Sequence, residues 1–109
     1  MTDLLKQKCV PCEGGIPPLS DAKENEYINQ VKGWLLIREG IHHIKKEFEF
    51  DNFLKAIEFV NKVADLAENE AHHPDMYIYY DKVVLELHTH AIKGLHTNDF
   101  ILAAKIDAI

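Results

Sequence analysis

Three imidazoles and their neighbours carry the chemistry that this sequence offers. Glu68-Asn69-Glu70-Ala71-His72-His73-Pro74-Asp75 sets a histidine pair just ahead of a proline. His90 follows, at the end of the run Val83-Val84-Leu85-Glu86-Leu87-His88-Thr89-His90. Imidazole titrates near neutral pH, so several of them around one pocket can give and take protons during a reaction. Glu68 and His72 stand four apart, a spacing that puts them on one helix face, so Glu68 is expected to orient the His72 ring. His73 then points elsewhere and suits contact with a substrate, while Asp99, in the first turn of a last helix, can orient or cap. A histidine at a helix end also serves simply as a cap, and a catalytic reading requires that the fold bring His90 beside His72. His42 and His43 form a second pair with no spaced acid nearby and read as surface residues. His88 shares the parity of His90 and either borders the site or faces solvent.

Metal ligation is the rival use of the same atoms. His72, His90, Glu68 and Asp99 could supply nitrogen and oxygen ligands, and His88-Thr89-His90 is a ligand-like pair on one strand face. No two histidines have the helical HxxxH spacing and no clear third and fourth ligand follows, so acid/base chemistry ranks ahead and no metal is expected. Cys9-Val10-Pro11-Cys12 is the one cysteine pair. It lacks a second CxxC at zinc-ribbon spacing and opens no βα unit, so it reads as a thiol pair in an arm rather than a redox motif.

The elements that must position these residues follow from punctuation and periodicity. Gly14-Gly15 and Pro17-Pro18 interrupt any pattern, so residues 1–19 read as an N-terminal arm and 20–109 as one domain. Ser20 or Asp21 caps a helix that carries Tyr27, Ile28 and Val31 on one face and stops at Gly33. Trp34 to Arg38 is an apolar strand. Ile41 to Phe50 alternates, with Ile44, Phe48 and Phe50 opposite His43, Lys45, Glu47 and Glu49. Asp51 caps the longest helix, whose apolar face is Phe53, Ile57, Val60, Ala64 and Ala67. Pro74 forces His73 out of the helical region, so the helix runs out near Ala71. Met76 to Tyr80 and Lys82 to His90 make a hairpin about Asp81, and Thr97 caps a last helix with Phe100, Ile101 and Ala104 inward. The order αββαββα implies an α+β fold: a four-stranded antiparallel sheet with helices packed on one face.

A chain of 109 residues supports one core but no separate cofactor-binding domain. Twelve Lys and Arg against eighteen Asp and Glu give a net charge of -6, with the basic residues scattered, which disfavours nucleic acid or an anionic membrane as a direct partner. No signal peptide or spanning segment is read, so a soluble, cytoplasmic protein is expected.

From about Val31 onward the chain resembles the pterin-4a-carbinolamine dehydratase family. The resemblance rests on Gly33-Trp34, Phe48-x-Phe50-x-x-Phe53, Val63-Ala64, Glu68-x-x-x-His72-His73-Pro74, Tyr80-x-Lys82-Val83, Thr89-His90, Gly94-Leu95 and Asp99-Phe100-x-Leu102-Ala103. Lys8 to Gly15 resembles the arm common in bacterial members. Met76 departs from the aromatic residue of animal members, and His88 stands where those members have a small polar residue. The resemblance implies a hydro-lyase that dehydrates 4a-hydroxytetrahydropterin to quinonoid dihydropterin, recycling the pterin of aromatic amino-acid hydroxylases without a cofactor. It further implies His72, His73 and His90 as catalytic residues and His73, Pro74, Glu68 and Asp99 as substrate-binding or supporting ones. Assembly as a homodimer or homotetramer follows by the same likeness. The alternatives are a pterin-binding or protein-interaction module, as in the animal members that act as dimerisation cofactors of a homeodomain protein, and a molybdopterin-related dehydratase.

Overall fold

The computed structural model describes residues 3–10 and 14–109; Cys12 of the cysteine pair lies outside them. Three helices and four strands succeed one another as α1 (Asp21–Ile28), β1 (Leu35–Ile37), β2 (His43–Glu49), α2 (Phe53–Glu70), β3 (Asp75–Tyr79), β4 (Lys82–Leu87) and α3 (Thr97–Asp107). Short 3-10 turns at Leu4–Lys6 and His90–Ile92 complete the chain. The sheet is antiparallel throughout, in the order β1-β2-β4-β3, so the expected α+β architecture is the observed one.

Alternation decides which face of the sheet is covered. Val83, Leu85 and Leu87 of β4 and Ile44 of β2 are completely buried, and they meet Ala56, Val63, Phe100 and Leu102 from α2 and α3. Each such side chain contributes about 1.5–3 kcal/mol by leaving water. The covered face of α2 is turned from the expected one: Ala56, Val63 and Ala67 are buried, whereas Phe53 is 48% exposed and Ala64 is exposed. Small residues at 56, 63 and 67 let the helix lie close to the sheet, leaving the bulkier Phe53 and Leu54 outside.

Several boundaries shift for identifiable reasons. α1 is capped by Ser20 as expected but ends at Ile28, because the Gln30 and Val31 amides close turns on Tyr27 and Ile28 well before Gly33. Asn52, not Asp51, caps α2, its side chain accepting from the Lys55 amide. His96, not Thr97, caps α3: its ring accepts from the Asn98 amide while Asp99 accepts from the His96 amide, a capping box closed by histidine and aspartate. β4 ends at Leu87 rather than His90, since the Thr89 amide bonds Gly94 and closes a loop on itself. Gly94 is required there. A Cβ at Gly94 would lie 2.7 Å from that of Pro18, and the Leu19 amide bonds the Leu95 carbonyl, so the proline-rich segment braces the loop bearing His90.

The His42 reading is corrected. Glu24 of α1 is completely buried, and its carboxylate meets His42 Nδ1 at 2.8 Å and accepts from Arg38 Nε at 3.0 Å. The acid that His42 lacks in sequence arrives from another element, and the pair ties α1 to the β1–β2 turn. A carboxylate in this position is tolerable only because both partners reach it.

Candidate active site

The end of α2 is built to turn two histidines off the helix. Ala71 adopts the left-handed conformation (φ 54, ψ 37), and the amides of Ala71 and His72 fold back onto the carbonyls of Glu68 and Ala67. Glycine usually occupies such a position, and alanine costs roughly 1 kcal/mol there. Pro74 follows and forbids further helix. His72 thereby leaves the helix surface and turns towards the start of α3.

There it meets Asp99 rather than Glu68. His72 Nε2 lies 2.6 Å from Asp99 Oδ1, the histidine side chain being 12% exposed and the aspartate 0%. The other oxygen of Asp99 accepts from Thr89 Oγ1 at 2.9 Å and from the His96 amide at 3.0 Å. A carboxylate so engaged has only acceptor capacity to offer, so we assign the proton to Nε2 of His72 and leave Nδ1 as the nitrogen able to take another. Glu68 pairs instead with His73, at 2.7 Å, and both side chains are largely exposed. Such a surface pair contributes about 0–1 kcal/mol.

His72, His73 and His90 do come together. With Thr89, Ala71, Ala91, Asn98 and Val10 they line a depression of about 270 Å³. His90 reaches it from the 3-10 turn that follows β4 and is exposed. A larger concavity of about 580 Å³, between the N-terminal turn and α1, offers only Asp3 and Asp107 as titratable groups. Chemistry rather than volume therefore selects the histidine depression. His88 is half-buried, outside the depression, with its ring centroid 4.1 Å from that of His90. Burial, then the neighbouring His90, hold its pKa below the ordinary imidazole value.

Two walls of the depression escaped sequence reasoning. Asn98 is buried and clamps the arm: its Oδ1 accepts from the Val10 amide at 2.9 Å and its Nδ2 donates to the Val10 carbonyl at 2.7 Å. Beside it the Cys9 amide donates to Glu70 Oε1, whose partner oxygen accepts from Lys105 Nζ at 2.8 Å. Although burial opposes ionisation of Glu70, the bonds from Lys105 and Cys9 hold its pKa below the usual value. Burial and then the Glu70 charge push the Cys9 thiol up to about 12, so little thiolate exists at neutral pH.

A family model described as pterin 4 alpha carbinolamine dehydratase matches residues 17–109. The chain belongs to this family. A relative from Rubrobacter xylanophilus, provisionally named a pterin-4-alpha-carbinolamine dehydratase, is 40% identical over 109 residues, covering 100% of both chains. One from Alkaliphilus metalliredigens with the same provisional name is 44% identical, covering 98% of this chain and 96% of its own. The crystal structure of a transcriptional coactivator/pterin dehydratase from Brucella melitensis superposes with a TM-score of 0.78 at 30% identity, over 84% of this chain and 96% of that one. A pterin dehydratase-like protein identified as a RuBisCO assembly factor in the alpha-carboxysome shares the fold, with a TM-score of 0.60 at 21% identity over 70% of this chain and 87% of its own. Among the described residues no helix is long and apolar enough to cross a membrane.

Proposed function

We propose that this protein dehydrates a 4a-hydroxytetrahydropterin by histidine acid/base catalysis. The observation that carries the reading is the His72–Asp99 pair at 2.6 Å beside His73 and His90 in one depression. In the reaction the C4a–O bond breaks: an acid protonates the leaving hydroxyl, the ring nitrogen pushes its electron pair towards C4a, and a base takes the proton from nitrogen. Water and the quinonoid dihydropterin are the products. Asp99 fixes the tautomer and orientation of His72, so that Nδ1 can exchange a proton with substrate. His90, which lines the same depression, supplies the second proton-transfer group, and His73 with Pro74 bounds the pterin, Glu68 steadying His73. Histidine suits both directions of transfer because it titrates near the working pH. Recycling of the pterin consumed by an aromatic amino-acid hydroxylase is the physiological role that fits. Stopped-flow absorbance with enzymatically generated 4a-hydroxytetrahydropterin tests this: micromolar protein without added cofactor should shorten the lifetime of the carbinolamine at least about tenfold, a threshold set below the roughly 10²- to 10⁴-fold of one acid/base group. An unchanged lifetime would remove the enzymatic reading and favour a binding module.

Self-association belongs to the same reading. β3 is an edge strand whose Tyr77, Ile78 and Tyr79 are all exposed, together with Tyr80 in the turn. Edge strands with apolar side chains and free backbone groups pair readily with a second copy. Light scattering at micromolar concentration is expected to give a dimer or tetramer mass, and a monomer would contradict it.

A further inference from the structure

We propose that Asp75, His88 and His90 form a binding site for a divalent first-row transition metal, with zinc as its probe, whose occupation draws His90 away from the histidine depression. Each of the three residues offers one ligand atom, and these atoms lie within 4.8 Å of one another. The convergence is built by the sheet. Asp75 is the register partner of Glu86, so it shares the uncovered face with Glu86 and with His88 two residues on. His90 folds back from its 3-10 turn until its ring centroid is 4.1 Å from that of His88. Tetrahedral ligands at metal bonds of about 2.0–2.2 Å stand roughly 3.3–3.6 Å apart, so side-chain rotations alone close the set. Two imidazoles and one carboxylate are a donor set suited to zinc, with the fourth position left to water.

Among the described residues the other carboxylate and histidine group of similar size, Asp21, Glu24 and His42, is a poorer cation site. Arg38 already places its guanidinium on Glu24, and a second cation there would meet that charge. At Asp75, His88 and His90 no Lys or Arg makes a hydrogen bond or ion pair with any of the three among the described residues. His90 is the shared member: it lines the depression with His72, whereas His88 and Asp75 lie outside it. Metal binding therefore competes with the proton-transfer role given to His90, and zinc is inhibitory rather than required.

Zinc titration of the full chain against a chromogenic chelator tests the site. His88→Ala and Asp75→Asn should each weaken zinc binding at least about tenfold, because removing a direct ligand costs no less than disturbing an outer one. His42→Ala should leave it unchanged. Equal affinity in wild type and His88→Ala would overturn the proposal, as would loss of binding in His42→Ala. X-ray absorption of the zinc form should show two imidazoles in the first coordination sphere, and a single imidazole would also overturn it. The activity consequence rests on the dehydratase reading: zinc should inhibit wild type and spare His88→Ala, whose metal-free activity is expected to be unaltered. Should the chain bind zinc through His88 yet show no dehydratase activity, only the functional reading fails.

Discussion

Replacing His72 by alanine is expected to lower kcat by about 10²- to 10⁴-fold, the span of one positioned acid/base group. His90→Ala should fall in the same range, while His73→Ala, which removes an exposed ring held by Glu68, should mainly raise KM. His42→Ala is the internal control and an informative one. It should leave kcat unchanged yet cost about 1–3 kcal/mol of stability, because the completely buried Glu24 loses one of its partners. That loss should appear as a drop in thermal midpoint of several degrees for a domain of this size. Steady-state kinetics and thermal unfolding on the same four proteins check the set. If His42→Ala damaged kcat as much as His72→Ala while remaining folded, the placement of the active site would be wrong.

Asp99 should be the second most sensitive position, and there fold and chemistry can be separated. Asp99→Ala strips the acceptor from three donors at once: His72 Nε2, Thr89 Oγ1 and the His96 amide. A loss of about 2–4 kcal/mol is expected, since unsatisfied buried donors cost ~1–3 kcal/mol each before relaxation and water entry. Asp99→Asn keeps the shape and should fold, but its amide nitrogen cannot accept, and the ring can be left with its proton on the wrong nitrogen. A fall in kcat of at least about a hundredfold with a small stability change is the expected signature. Full activity in a folded Asp99→Asn protein would reduce Asp99 to a structural cap.

Much of this arrangement was legible from spacing. The alternation in 43–50 and 82–87, the helical recurrence in 53–70 and Pro74 are strong local signals, and they yield the antiparallel sheet and a histidine pair at a helix end. The partner of His72 was not legible, because the four-residue rule points to Glu68 while the backbone reverses at Ala71, and nothing about an alanine announces a left-handed residue. Asp99 lies 27 residues away and reaches His72 only through the docking of α3 beside the end of α2. Glu24 is another such case. A glutamate on a helix with few apolar residues reads as solvated, and only the arrival of Arg38 and His42 from the next hairpin makes its burial tolerable. The metal-ligand group Asp75, His88 and His90 combines both kinds: its two histidines were visible as a pair, whereas Asp75 joins them through sheet register.

Asn98 holds Val10 by two hydrogen bonds, and both residues line the histidine depression. The amino-terminal arm is therefore thermodynamically coupled to the site. Deleting the arm and altering the depression would not be independent perturbations, and their free energies need not sum, as those of distant positions ordinarily do. Any comparison of variants made on proteins with different amino-terminal fusions would confound the two.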